Sequence, residues 1–116
     1  MAKKPFVSQF RAVVPSGSTS YTIHGKSLPS NILVCYDRIA AADLSGIPTL
    51  VTFGFRRGAE DILLGSKVPS IAGQCVDVKG KLYLPGHYVP YASFTGVTGD
   101  NVLVLSLFGY TTESVD

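Results

Sequence analysis

Residues Asn101 to Tyr110 read NVLVLSLFGY, and the fold turns on this stretch. In an extended chain Leu103, Leu105 and Leu107 share one face, while Val102, Val104 and Phe108 share the other. A strand that is apolar on both faces has to be covered twice. One face goes to the domain's own core and the other to a second layer or subunit.

Working outward, the same period of 2 recurs between glycine- and proline-rich turns. Thr49 to Arg57 (TLVTFGFRR) puts Val51, Phe53 and Phe55 on one face and Leu50, Thr52, Gly54 and Arg56 on the other. A glycine inside such a strand marks a bulge or a close backbone approach. Val7 to Val14, Ser20 to His24 and Tyr88 to Phe94 are further strands, and Asn31 to Tyr36 is apolar enough to be a central one. Gln74 to Val78 and Lys81 to Leu84 read as two strands joined by a tight hairpin at Lys79-Gly80. Gly96 to Gly99 reads as another hairpin connection, and Gly58 to Gly65 as a short turn with an apolar patch. Arg38 to Leu44 (RIAAADL) fits either a helical turn or a strand end. Seven or eight short strands at a spacing of about ten residues predict an all-β, antiparallel β-sandwich or barrel. Neither a repeat nor a linker divides the chain, so residues 1–116 form one domain, with residues 1–6 as a short N-terminal arm.

Composition bounds the function. At 116 residues the chain can bury one core without disulfides or metals, with a radius of gyration of about 13 Å. Hydrophobic residues make up 46%, which excludes disorder. No apolar run is long enough to span a bilayer, and Met-Ala-Lys-Lys-Pro lacks the apolar stretch of a signal peptide. Charged residues are only 16%, against about 25% in an ordinary domain. Either a Ser/Thr/Tyr/Gly surface replaces them, or part of the surface is covered in an assembly. The net charge of +2 is spread over scattered lysines and arginines, with no basic stripe for nucleic acid. Arg56-Arg57 reads as a solvated turn or an anion clamp.

No catalytic constellation is visible. His24 and His87 each neighbour a glycine, at spacings that suit no metal site, so no metal or cofactor is expected. The acidic residues form no paired carboxylates and no calcium loop. Cys35 and Cys75 read as small buried hydrophobes, with a disulfide between neighbouring strands left open. The serines lack a GxSxG elbow. The chain therefore reads as no enzyme. What does suggest binding is Tyr83, Tyr88 and Tyr91 around Leu84-Pro85-Gly86-His87, since tyrosine brings area and a hydroxyl at small entropic cost. Tyrosines with wet hydroxyls at strand ends would give the same pattern.

The succession Gly80-Lys81-Leu82-Tyr83-Leu84-Pro85-Gly86-His87, then Tyr91 to Gly96, Thr98 to Asn101 and the strand Val102 to Tyr110, resembles β-sandwich structural proteins of virus particles. It is most similar to the small decoration (cement) proteins of tailed bacteriophage capsids, over roughly residues 47–110. The resemblance implies a jelly-roll-like sandwich, made in the host cytoplasm, that forms a homo-oligomer (dimer or trimer) on the virion surface. Its partners would be the major capsid protein or other virion proteins, with no nucleic acid and no membrane. Contacts would come from the arm (Lys3, Lys4, Phe6) and the tyrosine loop (Tyr83, Tyr88, Tyr91). Two other roles remain: a glycan-binding tail or fibre head, and a small lectin- or cupin-like module with His24 and His87 converging on a ligand.

Overall fold

The computed structural model describes residues 3–113 as eight strands and no helix. In order they are β1 (Lys4–Val13), β2 (Ser20–His24), β3 (Ile32–Asp43), β4 (Leu50–Arg57), β5 (Glu60–Lys67), β6 (Val76–Pro85), β7 (Val89–Thr95) and β8 (Val102–Glu113). They form two four-stranded antiparallel sheets, ordered β1-β8-β3-β6 and β2-β7-β4-β5. Except for the β4–β5 hairpin, each connection crosses from one sheet to the other. This order is a jelly roll, with the two sheets packed face to face. The molecule is elongated, 48 × 26 × 20 Å, with a radius of gyration of 14.5 Å.

Alternation explains the core. Val51, Phe53 and Phe55 of β4 face Leu103, Leu105 and Leu107 of β8 across the sandwich, all buried. Tyr36 lies 4.8 Å from Phe55 and meets Phe6 edge-on at 6.0 Å. Among the described residues one carboxylate is buried, that of Asp43, and it is satisfied. It accepts from the Ser45 amide at 3.1 Å and from Asn101 Nδ2 at 3.0 Å, which ties the end of β3 to the start of β8.

Several expectations need correction. For Arg38 to Leu44 the strand-end reading holds and the helical turn does not: Arg38 to Asp43 continue β3, because Ile39 and Ala41 complete the inward face that Val34 and Tyr36 begin. Gly58 to Gly65 is no mere turn. Residues from Glu60 onward form β5, whose alternation is broken by an extra residue at Leu64. Lys79-Gly80 is not a hairpin but a bulge within the continuous β6. Gly80-Lys81 stand against the single residue Asp37 there, with Gly80 at φ +139°. Gly96 to Gly99 joins strands of different sheets, and the amides of Gly96 and Val97 both donate to the Thr19 carbonyl. The expected arm is strand: Lys4 to Phe6 pair with Gly109 to Thr111, while residues 1 and 2 lie outside the described residues. Cys35 is buried as expected, but Cys75 is exposed just before β6, and both are free thiols.

Candidate interaction surface

The outer face of β1-β8-β3-β6 follows from register. Val13 pairs Val102, Arg11 pairs Val104, and Val7 pairs Phe108; on the other flank of β8, Val104 pairs Ala42 and Ser106 pairs Ala40. Ala40, Ala42 and Val104 are buried, whereas Val7 is 70% and Val13 59% exposed. Charge is sparse. The Arg38 Nε donates to Asp77 Oδ2 at 2.6 Å, and the same guanidinium lies 5.4 Å from the Phe108 ring. Arg11 and Lys79, the latter in register with Arg38, are further exposed cations of this face.

At one end of this face a cavity of about 220 Å³ is lined by Lys3, Leu33, Cys35, Tyr83, Tyr110 and Thr112. The Tyr83 and Tyr110 hydroxyls are 3.2 Å apart, and the Lys3 ammonium sits 4.7 Å from the Tyr110 ring. The hydrogen bond to Tyr83 and the neighbouring Cys35 thiol hold the Tyr110 phenol well above the ordinary tyrosine range. Lys3 and Tyr83 thus come together as part of one surface, with Tyr110 as a partner that sequence reasoning missed. The signal for it was available: Tyr110 continues the outward alternation of Ser106 and Phe108.

The other expected residues lie elsewhere. Phe6 is turned inward against Tyr36, and Lys4 is exposed at the start of β1. Tyr91 belongs to β7 of the opposite sheet and Tyr88 to the loop just before it, both beside the β4–β5 tip. Tyr91 is only 3% exposed, so it offers no stacking platform. Its hydroxyl donates to Asp61 Oδ1 at 2.7 Å under the Arg56 guanidinium, and burial together with that carboxylate raises its phenol pKa. The room comes from Gly54, where a Cβ would stand 2.6 Å from the Tyr91 hydroxyl; β4 and β5 also shift register beside it. Of the two readings of that glycine the close approach holds, whereas the bulge lies on the facing strand at Leu64.

Arg57 lies over the Tyr88 ring and meets His87 Nε2 at 3.2 Å, while Tyr88 donates to Glu60 at 3.3 Å. The two arginines are thus engaged by carboxylates of their own hairpin and by the Tyr88 and Tyr91 rings beside it, which is a stabilising network and not an open anion clamp. Tyr91→Phe should cost about 1–2 kcal/mol, read as a lower urea midpoint, because it leaves Asp61 without its charge-assisted donor. An unchanged midpoint would show that the network does not brace the tip.

His24 packs 6.2 Å from the Tyr91 ring, and His87 stacks on Tyr88. Among the described residues no three His, Cys, Asp or Glu side chains are grouped to hold a metal ion. The outer face of β2-β7-β4-β5 carries hydroxyls in register: Thr22 donates to Ser93 at 3.1 Å, and Thr52 lies 3.0 Å from Ser66. One outer face is therefore built for water and the other is largely apolar.

No protein-family model matches the chain, and no curated protein sequence does. Among solved structures it is similar to the Drosophila NLP core, described in terms of pentamer formation and histone binding. That alignment covers 90% of this chain and 98% of the other at 10% identity, with a TM-score of 0.38, too low to carry function or partners across.

Proposed function

We propose that the protein is a non-catalytic assembly subunit of a virus particle, a decoration protein that oligomerises through the outer face of β1-β8-β3-β6. The observation that carries the reading is that face: apolar along its middle, with Val7 and Val13 standing exposed, on a chain already poor in charge. Monomers seldom leave such patches wet. Arg38 is already paired with Asp77, and the exposed cations Arg11 and Lys79 sit on the outer two strands of the sheet, away from the apolar centre of Val104, Ala40 and Ala42. The capsid setting comes from the sequence resemblance. A jelly roll is compatible with it but is shared with lectins and cupins. On a shell, several modest contacts made at once would add up to firm attachment, and binding to the assembled form would stabilise it.

Light scattering across a hundredfold dilution tests the oligomer. The protein should stay dimeric or trimeric, and Val7→Asp with Val13→Asp should weaken association at least tenfold without lowering the thermal midpoint. A monomer throughout, unaffected by the double substitution, would exclude self-docking. The capsid role predicts co-sedimentation with assembled phage shells but not with their unassembled subunits.

A further inference from the structure

The strands β5 and β6 are the outermost strands of their respective sheets, and between them opens a cleft of about 210 Å³. Its floor is apolar, built from Leu64, Leu82 and the Tyr36 ring, and its rim carries Arg38, Lys79 and Lys81. No carboxylate lines it. Arg38 is committed to Asp77, whereas Lys79 and Lys81 make no ion pair among the described residues. Tyr36 is 4% exposed, and its hydroxyl makes no hydrogen bond among the described residues. The hydroxyl is not sealed in the core, since His87 Nδ1 is the one buried side-chain polar atom without a partner among the described residues; it meets the solvent of the cleft and can bond to what enters there.

Both flanking strands bulge at this mouth, β5 at Leu64 and β6 at Gly80-Lys81. Bulges twist an edge and interrupt its row of backbone donors and acceptors, and edge lysines discourage strand addition. The mouth is thus closed to a pairing peptide but open to a molecule without a backbone. At about 30 Å³ for each water-sized group, the cleft holds roughly seven methylene-sized groups, most of a ten-carbon chain whose end then stands outside the open cleft.

We propose that this cleft binds a free anionic amphiphile of medium chain length, a fatty acid or alkyl sulfate, with its chain on Leu64 and Leu82 and its head group between Lys79 and Lys81. Sodium decanoate, kept below its micelle concentration, is the probe, followed by amide NMR shifts on the intact protein. Shifts should cluster at Leu64, Gly80 and Leu82, and Lys79→Glu with Lys81→Glu should weaken binding at least tenfold. Decyltrimethylammonium should leave those signals unmoved. Leu64→Trp, which fills the floor, should abolish binding; if that variant misfolds, the lysine pair alone decides, since both side chains are exposed. Absence of shifts at the cleft, equal binding of the cationic amphiphile, or unchanged affinity in the lysine variant would each overturn the proposal.

Discussion

Gly109→Ala should destabilise the fold by about 3 kcal/mol, a substantial part of a small domain's total of about 5–15 kcal/mol. Gly109 sits on β8 in register with Phe6 of β1 and Tyr36 of β3. A Cβ there would run into the Cys35 carbonyl and lie 3.2 Å from the Tyr36 Cα, so backbone and not a flexible side chain would have to yield. The rings of Phe6 and Tyr36 meet edge-on from the two flanking strands, a way of covering a glycine within a sheet. Adding one methyl would push β8 off β3 next to the Tyr36–Arg38 register shift. Urea denaturation followed by circular dichroism checks this, with Ser106→Ala on the outward side of the same strand as the control. Equal midpoints for the two variants would mean that β8 and β3 are not so closely apposed.

The second large effect is alkaline. Burial pushes the Tyr36 phenol up to about 12, from 10.0 in the ordinary residue. Between those values the unfolded chain ionises while the folded one keeps its proton, so the unfolded state gains. The contribution of Tyr36 is therefore complete below pH 10 and is lost as the pH climbs towards 12. A rise of this size corresponds to about 2–3 kcal/mol of stability lost over that window. Tyr36→Phe should remove that part of the slope while costing little at pH 7, since the hydroxyl has no partner to lose. Parallel stability curves for the two proteins from pH 9 to 12 would refute the assignment. Tyr91 and Tyr110, also raised, add to the residual slope of the variant.

How far the residues announce the fold depends on how regular they are. β2 is legible to the residue, and β4 to within one, because their alternation is unbroken. The two apolar faces of Val102 to Phe108 are real, and β8 does run through the middle of its sheet. Where register slips, reading fails. The extra residue at Leu64 hides β5, and a glycine at positive φ serves a bulge as well as a hairpin, so Gly80 was misread. Only the partner strand settles that case, because β3 runs unbroken from Ile32 to Asp43 along both halves of β6. The alanine run of Ala40 to Ala42 leans towards helix by propensity, and tertiary pairing overrides it. The candidate surface was partly legible. Lys3 and Tyr83 share it, but Tyr91 is buried by a carboxylate and a glycine that lie distant in the chain and invisible in local pattern.

The pairing of β1 with β8, from Lys4 with Thr111 to Val13 with Val102, also shapes how the molecule is made. β8 fills the slot between β1 and β3, yet of the eight strands it is the last to be synthesised. Until it leaves the ribosome, β1 has no neighbour in its sheet and β3 has one naked edge. Folding therefore waits for the complete set of strands and is governed by contacts between distant parts of the chain, which makes it slow. During that interval the half-built sheet is open to strands of other chains, so the yield of correctly folded subunits depends on how crowded their synthesis is.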